Sequence, residues 1–250
     1  MTELYIGILL SIVLLIKCYK YLLFQYYLYF YDNNIFIITD EENWEQLKYF
    51  KNVHNIDDSN RFLYALNKCD QDLDLDLIIV ANGGNVFESD SILHALCNYK
   101  GNINTYVPRN AFSAGSMLSI VGHNIFMDKC SQLSLVDPQI SFKDDMFSVK
   151  SLMNLYEHKN IDEINDETIA IYYESKLLYE DNIRNMHKIL DVRYNRRTVK
   201  RVITELGKGI YPHGKQFSRE ELKEFGLNIK EGIPTKIKNI TDLFLDLICI

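Results

Sequence analysis

Leu75-Asp76-Leu77-Ile78-Ile79-Val80-Ala81-Asn82-Gly83-Gly84 is the stretch whose reading decides the fold. Leu77 to Ala81 is an uninterrupted apolar run bounded by polar residues, the pattern of a strand buried on both faces of a parallel sheet. The strand should stop at Asn82. The Gly83-Gly84 pair after it lets the backbone approach a ligand closely and turn its amides toward it. Val86, Ile92, Leu93 and Leu96 then recur at helical spacing, so the order is strand, glycine turn, helix.

Toward the C-terminus, Ile103 to Val107 reads as a second short strand, stopped by Pro108. Ala111-Phe112-Ser113-Ala114-Gly115-Ser116 follows, leading into a buried helix through Met117 to Val121. A serine at the turn into a helix has the unpaired first-turn amides beside it and the positive helix end behind it, which suits stabilisation of an oxyanion. Ser113 is therefore the candidate nucleophile. Toward the N-terminus, Ile35 to Thr39 is a β-rich strand, and Glu41 to Tyr49, with Trp44, is a short helix. Asp57-Asp58-Ser59 is an N-cap for a helix carrying Phe62, Leu63 and Leu66. This alternation of strands and helices predicts an α/β fold with a largely parallel sheet.

Five motifs stand in order: Ala81-Asn82-Gly83-Gly84, Val107-Pro108, Ala111 to Ser116, Ile125-Phe126-Met127-Asp128 and Leu135-Val136-Asp137-Pro138-Gln139. Together they resemble the Clp protease and crotonase superfamily, most closely its membrane-anchored branch, the serine dehydrogenase proteinase family, over about Ile56 to Leu247. The resemblance implies Clp/crotonase-like repeated ββα units and a serine-type peptidase acting on peptide or protein substrates. It further implies a homo-oligomer, an N-terminal membrane segment, and no metal or organic cofactor. The chain departs from the family pattern at Asn82 for a proline, Ser116 for a threonine and Gly214 for an aspartate.

A serine hydroxyl needs a base to take its proton. In Clp proteases the histidine follows the serine and the aspartate precedes a late capped helix. Here the order is exchanged, with Asp137 downstream of Ser113 and His213 just before the late helix. The reading is Ser113 as nucleophile, His213 as general base and Asp137 as its orienting acid. Lys143, Lys150 and Lys159 stay open as alternative bases, and His123 reads as a packing residue. The oxyanion donors are the amides of Gly83, Gly84 and Ala114.

A net charge of −7 over 250 residues argues against a nucleic-acid binder. The basic cluster Arg193, Arg196, Arg197, Lys200 and Arg201 reads as a solvated helix face. The five cysteines have no metal-ligand spacing, and their odd number leaves a free thiol, which fits a reducing compartment. Leu4 to Ile16 is uncharged and almost wholly apolar, and lysines and tyrosines follow. Tyr5 to about Leu23 can cross a membrane once if Lys17 and Lys20 snorkel to the interface. Glu3 lies before the run and both lysines after it, which puts the main domain on the cytoplasmic side. The division is then residues 1–31 as membrane anchor and 32–250 as one peptidase domain. Two other functions stay in view: a catalytically inactive peptide-binding scaffold at a membrane, if Gly214 marks a lost catalytic acid, and an acyl-CoA enzyme, which the Ser113 motif disfavours.

Farther along, Phe142 to Ile164 reads as an irregular connection or flap. A long helix from Asp166 to Lys188 is expected to turn Ile169, Tyr172, Tyr173, Leu177 and Ile183 inward. Another runs from about Arg197 to Leu206 and ends at Gly207. Ser218 and Glu221 form a capping box for a helix from Arg219 to Phe225, stopped by Gly226.

Overall fold

Apolar strands without a polar side are stable only when both faces are covered. The computed structural model of the protein describes residues 2–41, 50–142, 145–158 and 164–248. The chain enters through helix α1 (Thr2–Tyr29) and then alternates through β1 (Asn34–Thr39), β2 (Val53–Asn55), α2 (Ser59–Lys68), β3 (Leu75–Val80), α3 (Val86–Cys97) and β4 (Ile103–Val107). A two-residue β5 (Asn110–Ala111) turns into α4 (Ala114–Ser119), followed by β6 (Asn124–Met127), β7 (Gln132–Ser134), β8 (Gln139–Phe142) and β9 (Asp145–Ser148). Helices α5 (Val149–His158), α6 (Asp166–Leu190) and α7 (Arg196–Val202) come next, the last widening into a π-turn over Ile203–Gly207. The described chain closes with β10 (Gln216–Ser218), α8 (Arg219–Phe225), β11 (Ile229–Glu231) and α9 (Thr235–Ile248).

Six strands make one sheet in the order β11-β6-β4-β3-β1-β2, with every pairing parallel. Successive residues of β3 point to opposite faces. Leu75, Leu77 and Ile79 meet one buried layer under α2, α3, α4 and α8, while Ile78 joins a second layer with Ile237, Ile240 and Phe244 of α9. The local signals act as expected. Asp58 accepts from the amide of Arg61 to cap α2, Ser218 and Glu221 form the capping box of α8, and Gly226 ends that helix at φ 98°.

Two readings need correction. Phe142 to Ile164 is not an irregular connection in its described part: β8 and β9 pair as an antiparallel hairpin, Gln139 opposite Ser148, and α5 follows, held down by buried Val149 and Leu152. The hairpin's mixed polar composition hid its alternation. In α6, Tyr173 and Leu177 are exposed, and the buried face is Ser175, Asn182, Asn185, Met186, Ile189 and Leu190. This helix packs along α5, and its hydrophobic core residues, Met186, Ile189 and Leu190, fall in its last turns, so the periodicity of Ile169 to Leu177 does not report the core. The helix expected over Glu41 to Tyr49 lies outside the described residues beyond position 41.

Helix α1 has two characters. Ile8–Tyr29 is long and apolar enough to cross a membrane by length and composition, and apolar side chains from Tyr5 to Leu22 stand exposed. Phe24, by contrast, is fully buried edge-on to Phe50, and Tyr27 and Leu28 join the layer beneath the sheet. Lys20 Nζ pairs with Asp246 of α9 at 2.9 Å.

Beyond α1, the chain is tied to the sheet at Asp76. This buried carboxylate in β3 accepts from Tyr31 Oη (2.7 Å), Asn33 Nδ2 (3.1 Å), Asn104 Nδ2 (2.8 Å) and Tyr106 Oη (3.1 Å). Burial and the adjoining carboxylate push the Tyr31 phenol far above its ordinary range, so it acts as a donor. Asp76→Ala strands these donors and should lower unfolding stability by about 3–5 kcal/mol in urea titration of the detergent-solubilised chain. A loss under about 1 kcal/mol would show that the four bonds do not form.

Candidate active site

Ser113 is placed by a small second sheet of order β10-β7-β5. Ser113 follows β5 after one residue, Asp137 lies three residues past β7, and His213 lies three residues before β10. Pairing these three strands therefore gathers residues far apart in sequence. Ser113 has φ 48° and ψ −115°, and it is the sole non-glycine residue with positive φ among the described residues. Such a backbone costs about 1–3 kcal/mol and persists only where its surroundings over-determine it. Here they do. The Ser113 amide donates to Ser134 Oγ at 2.8 Å, the Ser134 amide donates to Ser116 Oγ at 2.9 Å, and Ser116 Oγ donates to the Ala111 carbonyl at 2.6 Å. The Phe112 amide donates to Ala81 O at 2.9 Å, fastening the serine turn to the end of β3. A Cβ at Gly115 would lie 2.8 Å from that same carbonyl, so only glycine lets α4 start there.

The glycine turn is gripped from two sides. The Asn82 amide donates to Asp40 Oδ2 at 2.7 Å, and the Asn85 amide donates to Asp57 Oδ1 at 2.5 Å. A Cβ on Gly84 would lie 2.6 Å from Ile56 Cγ2, whereas one on Gly83 would lie 3.6 Å from Ser113 Cβ. Gly83 thus sits directly against the serine. Gly83, Gly84, Ser113 and His213 line one cleft of about 510 Å³. Val86, Phe87, Ile140, Met146 and Leu178 make its walls largely apolar, and Glu174 adds a negative charge.

Asp137 sits beneath His213, 2% exposed, with Oδ2 3.6 Å from His213 Nδ1. That contact is longer than a hydrogen bond, and the two side chains touch without a formed bond. The segment before the acid is rigidly held: the Val136 amide donates to Leu206 O at 2.8 Å, and Asn182 Nδ2 donates to Val136 O at 2.8 Å. The Pro138 carbonyl accepts from the Val149 amide at 3.0 Å. Burial pushes the Asp137 carboxyl up, opposed by Ser148 and His213. His213 is 38% exposed, on a turn closed by the Lys215 amide donating to Pro212 O. A Cβ at Gly214 would meet nothing within 4 Å.

The alternative bases fare differently. The Lys150 ammonium lies over the Tyr179 ring, 5.8 Å from its centroid, and no lysine lines the cleft among the described residues. Lys143 and Lys159 lie outside the described residues. His123 is far from the site, its Nδ1 accepting the Ile103 amide at 3.0 Å at the start of β4.

A family model for ClpP-like SDH-type serine proteinases matches residues 38–248. The chain belongs to this family. The ordered motifs from Ala81 to Gln139 had pointed to it. Two uncharacterized proteins of Methanocaldococcus jannaschii are similar to this ClpP-like chain, at 28% and 26% identity, each over 76% of its length. The matches cover 63% and 65% of the relatives, so the chain spans just under two thirds of the curated proteins it resembles.

Sequence reasoning missed Ser134, Asp40, Asp57 and Glu174. Asp57 was legible only as part of a helix start, and the other three carry no local signal, since their roles depend on chain segments that meet only in the fold. Gly84→Ala should reduce the rate of covalent modification of Ser113 by a serine-hydrolase probe by about 10²–10³-fold, because the glycine turn must shift away from Ile56. The far-ultraviolet circular dichroism spectrum should be retained. An unchanged rate would remove this turn from the oxyanion site.

Proposed function

We propose that this chain is a membrane-anchored serine peptidase that cleaves extended peptides by acyl transfer at Ser113. The observation carrying this reading is the juxtaposition in one cleft of a strained helix-entry serine, a double-glycine turn against it, and a histidine backed by a buried carboxylate. The family's serine proteinase character supports it.

In this mechanism the peptide lies between the glycine turn and the β8–β9 hairpin. Ser113 Oγ attacks the scissile carbonyl while His213 takes its proton, and the developing oxyanion is met by the amides of Gly83 or Gly84 and of Ala114. The protonated His213 then gives its proton to the leaving amine as the C–N bond breaks. Water, deprotonated by His213, hydrolyses the ester and restores Ser113. Asp137 orients the imidazole and stabilises its charged form. The 3.6 Å contact shortens as the imidazole becomes charged, the usual tightening of a catalytic pair on substrate binding. With Asp137 in this role, the glycine at 214 removes no needed acid. The anchor is the exposed apolar part of α1, with the cleft on the cytoplasmic side, and the enzyme works as a homo-oligomer without metal or organic cofactor.

Covalent labelling of the detergent-solubilised chain by a fluorophosphonate tests this. Wild type should label, and Ser113→Ala and His213→Ala should not. Loss in Ser113→Ala alone would move the base to a lysine, and a folded wild type that fails to label would support the peptide-binding scaffold instead.

The substitution Asp137→Asn separates catalysis from stability. A carboxyl whose folded pKa is raised holds its proton more tightly in the folded chain, so its contribution to stability declines as pH rises from the ordinary carboxylate range through the raised value. At neutral pH the buried charge is therefore a net cost. The variant should have a higher melting temperature at pH 7–8 and show labelling or turnover lowered about 10³–10⁴-fold. A lower melting temperature with activity retained would make Asp137 a purely structural residue.

A further inference from the structure

A second cavity, of about 720 Å³, opens where β1 begins and α2 ends, at the opposite end of the parallel sheet from the Ser113 cleft. Lys51, Arg61 and Lys68 line it, with no carboxylate among the described lining residues, in a chain whose net charge is −7. Arg61 Nη2 donates to the Phe50 carbonyl at 2.7 Å, which fixes the guanidinium at the rim. The Lys68 ammonium lies 4.2 Å from the Tyr64 ring centroid, and both side chains are exposed.

The inner wall holds a group that packing alone does not explain. His54 is fully buried (0% exposed), edge-on to Phe36 and Phe62 at 4.9 and 5.4 Å, and neither ring nitrogen has a hydrogen-bond partner among the described residues. A buried polar group without a partner lowers stability, and a phenyl ring would fill the same space without that cost. Burial holds its pKa down at about 3, so the ring is neutral, with one N–H donor and one acceptor that neither water nor a described residue satisfies. Phe36 and Ile35 add apolar wall, and Leu28 brings in helix α1.

We propose that this cavity binds a phosphate-bearing organic molecule, with its phosphate on Lys51, Arg61 and Lys68 and its organic part displacing the Phe36 wall to reach the enclosed ring nitrogens of His54. Lys51 and Lys68, with Arg61 partly offset by the nearby Asp58 carboxylate, match the multiple oxygens and double charge of a phosphate monoester better than the single charge of a carboxylate. The volume falls within the range of small-molecule sites and far exceeds what an isolated phosphate fills. The phosphate has two sources: a lipid headgroup, reached along α1, or a soluble phosphate ester.

The test uses the full chain in an uncharged detergent, titrated calorimetrically with inorganic phosphate, glycerol 3-phosphate and dioctanoyl phosphatidic acid. Saturable binding of glycerol 3-phosphate assigns a soluble ester, and saturation by phosphatidic acid alone assigns a lipid headgroup. In either case the double variant Lys51→Gln/Lys68→Gln, changed only at exposed positions, should bind at least tenfold more weakly. His54→Phe, which keeps the aromatic packing, should weaken binding of the ester or lipid but not of inorganic phosphate. No saturable binding to wild type, or equal affinity in the double variant, overturns the proposal, and saturation by inorganic phosphate alone overturns its organic part. Fluorophosphonate labelling of Ser113 is read separately on the same samples, so this outcome does not depend on the peptidase reading.

Discussion

The positive φ of Ser113 is the constraint on which the site depends. A side chain in that conformation is strained, and it stays there because bonds converge from three directions: Ser134 on β7, the Ala81 carbonyl at the end of β3, and Ser116 within α4. Each is individually modest, about 1 kcal/mol, but all act on one turn of chain. Together they match a strain of about 1–3 kcal/mol and leave the serine projecting into the cleft. The second sheet is the device that allows this. Its strands are only two or three residues long, too short to be stable alone, and they rest on the large parallel sheet through the Ala81–Ala111 bridge.

The same small sheet sets the electrostatics. By pairing β10 with β7 in antiparallel register, Phe217 opposite Leu133, it brings the turn carrying His213 over the buried Asp137. The carboxylate is placed where water cannot solvate it, so its charge is disfavoured unless a cation forms beside it. In the proposed mechanism an imidazolium formed at His213 would supply that cation. On that proposal, the stability given up in burying Asp137 would become available when His213 takes a proton, as active sites commonly sacrifice stability for chemistry.

A different joint governs how the apolar N-terminal helix meets this machinery. The latter half of α1 is not a loose tether. Phe24 is buried, Lys20 pairs with Asp246, and Tyr31 and Asn33 donate to Asp76 inside the sheet. Because β3 carries both Asp76 at its start and the glycine turn beyond its end, one rigid strand connects the exit of α1 to the cleft. The cavity at Lys51, Arg61 and His54 lies beside the same joint.

Much was legible in the chain itself. The apolar run at Leu77 to Ala81, the pairs Gly83-Gly84 and Ser218/Glu221, and the stop at Gly226 are local signals, because a both-sided strand, a close backbone approach and a capped helix each require particular residue types within a few positions. These determined the α/β order, the parallel sheet and the turn on which Ser113 stands. What only the tertiary structure decided depends on partners distant in sequence. Ser134 as the anchor of the Ser113 amide, Asp40 and Asp57 as clamps on the glycine turn, and Asp137 beneath His213 have no periodicity to betray them. Tyr173 and Leu177 look inward by spacing yet lie exposed, because α6 joins the core only through its last turns, at Met186, Ile189 and Leu190. Local sequence dictates local conformation through sterics and hydrogen bonding within a few residues, whereas a site assembled from three short strands exists only once the large sheet has brought them together.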